Sequence, residues 1–384
     1  MPHNDHQSHD VVIVGGGVCG LAVAWRARSR GLDVCLVERG QLGAGASAVA
    51  AGMLAPVSEA DAGERALMLL GIESARRWRT FAGELLDATG IDPGLREHGT
   101  LIVARDGDEA AALERELALR DRMSLETRRL LPSEARELEP GLVPSLRAAA
   151  EIPGDRCADP RALCQALVLA AERAGVVLLE GAEVFRIVVE GDRAAGVELA
   201  DGRRITAGDV VIAAGAWSGL LDGLPEGARV PVRPVKGQSL RLRDPDHDPA
   251  QPLLERVVRY EGGYLVPRGD GRYVLGATVE ERGFDTTMTA LGVYELLRDA
   301  AELVPGLLEL ELEEAIAGLR PGTPDNAPAL GRSSALPGLV WATGHYRNGI
   351  LLAPVTGDLL AGVLAGDGDI PAAFDPNRFA GVRA

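Results

Sequence analysis

Lysine is almost missing from this chain. Lys236 is the only one, so arginine supplies nearly all of the 40 basic residues, against 56 acidic ones and a formal net charge of −16. That balance excludes a general nucleic-acid binder, because no basic field exists to hold phosphates. Cysteine is scarce too: Cys19, Cys35, Cys157 and Cys164 form no C-x-x-C pair. This excludes a disulfide framework and fits a reducing cytoplasm. Long hydrophobic runs are lacking. The longest apolar stretch, Val11 to Trp25, is short for a membrane span and interrupted by glycines, so no membrane partner is expected. Met1–Asp10 has no signal-peptide pattern. It carries His3, His6 and His9, half of the 6 histidines, and reads as a frayed terminus, disordered over residues 1–8, rather than a metal site. No Ser-His-Asp order, metal-ligand spacing or internal repeat is present.

What is there begins with an apolar run ending in a glycine-rich turn, Val11-Val-Ile-Val-Gly-Gly-Gly-Val-Cys-Gly20. A helical pattern follows, and then a second apolar run, Val34-Cys-Leu-Val-Glu38. Strand, G-x-G-x-x-G, helix, strand and terminal acid together make the unit that binds the ADP half of a dinucleotide. Gly15 allows the tight turn, Gly17 lets backbone amides approach the pyrophosphate, and Gly20 lets helix and strand pack closely. The pyrophosphate belongs at the helix N-terminus, where unpaired N–H groups and the dipole favour an anion. Glu38 is placed to accept hydrogen bonds from the adenosine ribose, and its charge argues against a 2′-phosphate. Val18, Cys19 and Arg39 complete this part of the candidate cofactor site.

The remainder, in a chain of 384 residues with 46% hydrophobic and 25% charged side chains, suits a globular enzyme of two domains. Helical periodicity covers Glu59 to Thr89, broken near Gly71, and Asp159-Pro160 marks a helix start as N-cap and first residue. Short strands alternate with Gly-Asp turns from Ala182 to Asp209, a separate apolar strand begins at Val210, and Val230 to Phe284 is strand-rich. Leu339–Thr343 is a late strand and Gly349 to Leu364 a closing helix. The fold class expected is α/β: a Rossmann-type FAD-binding domain with an inserted mixed or antiparallel-sheet substrate domain. The first comprises about 9–85, 150–225 and 325–370; the second about 86–149 and 226–324.

No second G-x-G-x-x-G appears, so electrons are expected from a small substrate bound directly against the flavin. Four further stretches are specific: Ala50-Ala-Gly-Met-Leu-Ala-Pro56, Arg233-Pro-Val-Lys-Gly-Gln238, Ala317-Gly-Leu-Arg-Pro-Gly-Thr323 and Gly344-His-Tyr-Arg-Asn-Gly-Ile-Leu-Leu-Ala-Pro354. With the N-terminal unit they span nearly the whole chain. On them the chain resembles the D-amino-acid oxidase and glycine oxidase group of FAD-dependent amine oxidases, and within it the glycine oxidases of thiamine biosynthesis.

The resemblance implies non-covalent FAD, since no cysteine lies after Cys164 to attach it. It implies that Arg320 clamps the substrate carboxylate, a task that suits a planar, permanently charged guanidinium. Arg347 is the second carboxylate binder, and Tyr264 reaches the same group through its hydroxyl. Ala51, Gly52 and Met53 become flavin neighbours, Ala46 and Ser47 reach the pyrophosphate, and Val184 lies near adenine. Gly215 ends the strand beneath the cofactor. The segment His345, Tyr346, Arg347, Asn348, Gly349, Ile350 and Leu351 lies against the flavin ring. The implied reaction passes hydride from glycine, sarcosine or a small D-amino acid to flavin, with O2 as acceptor, giving imine or glyoxylate, ammonia and hydrogen peroxide. A D-amino-acid dehydrogenase or sarcosine-type oxidase is the alternative on this scaffold, a flavin-binding partner without turnover a more distant one. A homo-oligomer is also implied. Lys236 is expected to be solvated or structural.

Overall fold

The computed structural model describes residues 7–381. Two eight-stranded sheets form its frame, linked by a small two-stranded sheet. In the first, the strands Leu339–Thr343, Arg204–Ile212, Gln7–Val14, Val34–Val37 and Val177–Leu179 lie side by side in parallel. Valine and isoleucine dominate the Val11–Val14 run because both faces of a parallel sheet are covered. Val11 and Ile13 face a core built with the helices Val18–Ser29, Arg65–Thr89, Pro160–Ala174 and Gly349–Ala365. Val12 and Val14 face a second core with Leu199, Leu224 and Trp341.

The antiparallel strands Val184–Glu190 and Arg193–Leu199 cover part of one edge of Arg204–Ile212. The expected break at Val210 does not exist. Arg204–Ile212 is a single strand whose first half pairs with the meander and whose second half pairs with Leu339–Thr343. The expected helix break at Gly71 is also absent: Arg65–Thr89 runs through it. Gly71 serves close packing instead, because a Cβ there would stand 3.1 Å from Pro56 and 3.2 Å from Leu351. Residues 1–6 lie outside the described part. The disorder expected through residue 8 is corrected at its end, since Gln7 and Ser8 pair with Ile205 and Thr206 in the first strand. His9, placed on the frayed terminus by sequence, instead bonds Asp33 at 2.7 Å.

The second sheet runs in the order Glu311–Gly322, Arg233–Arg243, Arg272–Gly276, Gly263–Pro267, Val257–Tyr260, Thr100–Ala104, Ala148–Ile152, Arg128–Leu130. All neighbours are antiparallel except Val257–Tyr260 beside Thr100–Ala104. The domain boundary expected at 150 is therefore misplaced, because it cuts the strand Ala148–Ile152, which belongs to this sheet. The first domain also reaches beyond 370, since Phe374 and Phe379 join its cores. The 12-residue strand Glu311–Gly322 was not legible, as its first half is acidic and exposed. Its register with Arg233–Arg243 sets Arg320 opposite Val235 and Gly318 opposite Gly237.

Asp159 couples the two sheets. Its carboxylate caps the helix Pro160–Ala174 through the amides of Arg161 and Ala162, and it pairs with Arg272 of the second sheet at 3.1 Å. Against the opposing effect of burial, the buried Arg268 beside it holds its carboxyl below the usual carboxylate range. Asp159→Ala loses cap and charge together and should cost about 2–4 kcal/mol. Asp159→Asn keeps a capping oxygen and should cost less. Denaturant midpoints at saturating cofactor check the order; equal losses would mean the cap contributes nothing and the charge accounts for the whole effect.

Candidate active site

The turn at Gly15-Gly-Gly17 opens a long trench across the end of the parallel strands. Gly15 has φ +109°, and a Cβ there would stand 2.4 Å from the Ala213 carbonyl oxygen. At Gly20 a Cβ would stand 2.0 Å from the Gly15 oxygen. Gly20 therefore does not line the trench; it lets the helix Val18–Ser29 approach its strand. That helix begins at Gly17 without a side-chain cap, and the Val18 amide donates to Ser47 Oγ at 3.0 Å. Glu38 accepts from the amides of Gly16 and Gly40, both at 2.8 Å, which orients its carboxylate on the trench wall.

This half of the trench spans about 1610 Å³, part of it open to solvent, with Gly15, Glu38, Arg39, Val184 and Gly215 on its wall. Arg39 stacks its guanidinium 4.0 Å from the Trp217 ring centre. The other half encloses about 1150 Å³. Gly17, Ala46, Ser47 and Gly215 border both, so the two halves are continuous. An acid-rimmed, glycine-lined half joined to a broad apolar half fits the shape and chemistry of FAD.

The second half is walled by Val18, Cys19, Ala51, Gly52 and Met53 on one side. Gly52 has φ +79° and sits where a Cβ would be 2.1 Å from the Ala158 oxygen, so only glycine lets this segment pack so closely on Ala158. Burial pushes the Cys19 thiol up to about 12, with Cys164 adding to the effect. A thiol held protonated is a poor nucleophile, which agrees with non-covalent binding. His345, Tyr346, Arg347, Gly349 and Ile350 close the far side. The helix Gly349–Ala365 starts there with no side-chain cap from Asn348, so its positive dipole end faces the cavity. His345 is buried, contacts Thr356 Oγ1 at 3.0 Å, and is driven down to about 4 by burial. Tyr346 takes the left-handed conformation, φ +48°, with its amide on the Pro321 carbonyl at 2.9 Å.

Arg320 and Tyr264 enter from the second sheet. Arg320 stands within the strand Glu311–Gly322 rather than in the turn after it. Its Nη1 donates to the carbonyls of Thr278 at 3.0 Å and Lys236 at 3.3 Å. Gly237 makes room for it, since a Cβ there would stand 2.4 Å from Nη1. Gly276 does the same for Tyr264, whose ring lies 2.7 Å from its would-be Cβ. Burial raises the Tyr264 phenol, and the nearby Arg320 charge pulls it back. Arg347 reaches the same cavity, with its guanidinium 5.5 Å from the Tyr346 ring.

Asn348 and Leu351 do not line the main cavity. They border a small adjoining one, and the Leu351 carbonyl accepts from Ser74 and Trp78 at 2.6 and 2.9 Å. Lys236 is structural rather than solvated: it is buried and bonds Asp285 at 3.1 Å. Sequence reasoning assigned no role to Gly237, Gly276, Ser239 or Glu59. Gly237 lay inside a stretch already singled out, whereas Glu59 read only as the start of a helical pattern.

Comparison with known proteins agrees with this geometry. The FAD dependent oxidoreductase family model matches residues 10–363. The glycine oxidase of Geobacillus kaustophilus is 40% identical over 355 residues, 92% of each chain. The bifunctional protein ThiO/ThiG of Nostoc sp. is 36% identical over 93% of this chain and 53% of its own length. The crystal structure of glycine oxidase from Geobacillus kaustophilus superposes with a TM-score of 0.89 at 38% identity, covering 96% of this chain and 98% of that one. The Rossmann-type sheet and the trench shaped for FAD thus belong to a chain that is a member of the FAD-dependent oxidoreductase family.

Proposed function

We propose that this enzyme oxidises glycine and other small amines, with dioxygen as acceptor, and that it serves thiazole synthesis for thiamine. Products are imine or glyoxylate, ammonia and hydrogen peroxide. The observation that carries the reading is the Arg320 guanidinium beside Tyr264 in the broad half of the trench. The similar proteins named glycine oxidase support the substrate class. Homo-oligomeric assembly comes from the family resemblance; a cytoplasmic setting is supported by four free thiols.

Bound FAD supplies a hydride acceptor and a route for electrons to dioxygen. The residues supply position. Arg320 is held by two backbone carbonyls through Nη1, and its side chain also hydrogen-bonds the Tyr264 hydroxyl. It therefore offers a fixed donor and full charge to a carboxylate. Tyr264, kept protonated by burial, adds a hydroxyl donor. Small walls at Ala51 and Gly52 bring the substrate carbon close to the ring plane, and alignment of this kind supplies much of the rate. The start of the helix Gly349–Ala365 favours negative charge at its end of the cavity. His345 stays neutral and adds no opposing proton chemistry at working pH.

Anaerobic addition of glycine should bleach the oxidised flavin band, and air should restore it. Failure with glycine, sarcosine and D-alanine alike would sink the reading. Arg320→Ala should raise the apparent KM for glycine by about 100-fold, the scale of a lost charge-assisted pair, while FAD affinity stays within a few-fold. Comparable losses of both would remove the carboxylate role. Gly237→Ala should act in the same direction by displacing the guanidinium, and its effect should vanish in the Arg320→Ala background.

His345 adds a pH signature. Its folded pKa, about 4, lies below the ordinary histidine value of 6.5. The unfolded chain therefore binds the extra proton first, and stability falls as pH drops from 6.5 through 4. The loss attributable to this group at pH 5 is about 2 kcal/mol. His345→Asn should lose less melting temperature between pH 7 and pH 5 than the parent; an identical loss would assign the acid sensitivity elsewhere.

A further inference from the structure

Between the short strand Met53–Leu54 and the helix Arg65–Thr89, the chain crosses beside the main cavity. Two residues of that crossing are held from both sides. The amides of Val57 and Ser58 donate to the Asp155 carboxylate at 3.3 and 3.1 Å. The carbonyls of the same two residues accept from Arg120 Nε and Nη2 at 2.9 and 2.6 Å. Asp155 lies in the turn between the strands Ala148–Ile152 and Arg156–Cys157; Arg120 lies on the helix Gly107–Arg122. Both are buried, at 0% and 1% exposure. Taking two charged groups out of water is expensive unless their bonds are well made. A surface crossing needs no such device, so the clamp points to a requirement for position.

The clamp ends where Glu59 begins. Glu59 borders the main cavity and also the small adjoining one, as does Arg347. Among the described residues it is the only carboxylate lining the main cavity, and its side chain makes no hydrogen bond or ion pair. The adjoining cavity adds Asp61 and Glu64.

We propose that Glu59 determines substrate specificity, and that Asp155 and Arg120 are the positioning residues that hold it. Its charge admits amino acids with a single carboxylate and rejects those whose nitrogen carries a second anion. This rests on the amine-oxidising reading above. A substrate anchored by its carboxylate at Arg320 and Tyr264 turns its nitrogen toward the remaining wall. There an amine tolerates or welcomes Glu59, whereas a second carboxylate meets a like charge in a partly dehydrated cavity. Arg347 on the same wall would attract that second carboxylate. Glu59 offsets it, and removing Glu59 leaves Arg347 unopposed.

The test compares sarcosine with iminodiacetate on FAD-loaded enzyme, as kcat/KM where a compound is oxidised and as competitive inhibition where it is not. Glu59→Gln should improve iminodiacetate relative to sarcosine at least tenfold, and Glu59→Asp should remain within threefold of the parent. Asp155→Asn and Arg120→Lys should move the ratio the same way by at least threefold, mainly through KM. A ratio within twofold of the parent in Glu59→Gln overturns the specificity role. An unchanged ratio in the clamp variants, with both substrates weakened alike, overturns the positioning role. If one clamp variant yields no FAD-loaded protein, the other decides. A parent enzyme whose flavin is reduced by neither glycine nor sarcosine would instead overturn the amine-oxidising reading and leave the clamp geometry standing.

Discussion

The site exists only while the two sheets keep a fixed relation, and guanidinium groups on backbone carbonyls hold them there. Arg241 of the second sheet donates to the Ala48 carbonyl at 2.5 Å, and Arg161 donates to the same oxygen at 3.2 Å. Arg268 donates to the carbonyls of Ala51 and Ala158 at 2.6 and 2.9 Å. The segment gripped in this way includes Val49, Ala50 and Ala51, which wall the broad half of the trench. Arginine suits the task because it keeps its charge when buried and offers several donors in one plane. Burial does lower Arg241, to about 10, and lowers Arg268 as well. Arg241 at least keeps its proton near neutral pH, so its grip on Ala48 does not loosen with ordinary changes in acidity. Asp159 and Glu314 supply the compensating charge.

The same logic of fixed charge continues inside the cavity. Arg320 is immobilised by carbonyls rather than by an acid, so its charge remains available to a ligand. An ion pair would have cancelled that charge and held the guanidinium less selectively. Glycine at 237 and 276 gives the arginine and the tyrosine their space, which explains why two of the most consequential residues of the pocket carry no functional group. His345, the one imidazole on the wall, is kept neutral by burial alone. The pocket therefore presents two permanent cations, two phenols and one carboxylate, an arrangement matched to a small zwitterion.

The nucleotide-binding half was readable from the chain because its requirements are local. Gly15, Gly17, Gly20 and Glu38 fall within one strand–helix–strand unit, and each answers a short-range steric or charge demand. Asp159 and Pro160 were readable for the same reason, since a helix start is decided by neighbours in sequence. The Gly349–Ala365 helix followed from its position after a strand and a glycine. Failures came where packing decided. Gly71 looked like a helix break but only accommodates Pro56 and Leu351. Asn348 and Leu351 were grouped with the cofactor by their place in a motif, yet the helical turn carries their side chains to the adjoining cavity. For Lys236 the sequence leaves solvated and structural roles open, and only its pairing with Asp285 decides for the structural one.

What the sequence by itself determined is the class of cofactor and the two-sheet organisation, while family resemblance proposed Arg320 as the arginine for the substrate carboxylate. These rest on contiguous motifs whose chemistry is complete within a few residues. Only the tertiary structure decided how the arginine is held, which glycines admit it, and that Glu59 stands on the cavity wall. Those facts depend on register between Glu311–Gly322 and Arg233–Arg243, and on a clamp assembled from Val57, Arg120 and Asp155. Partners separated by dozens of residues leave no periodic trace in a single chain, because what joins them is close packing and charge in space.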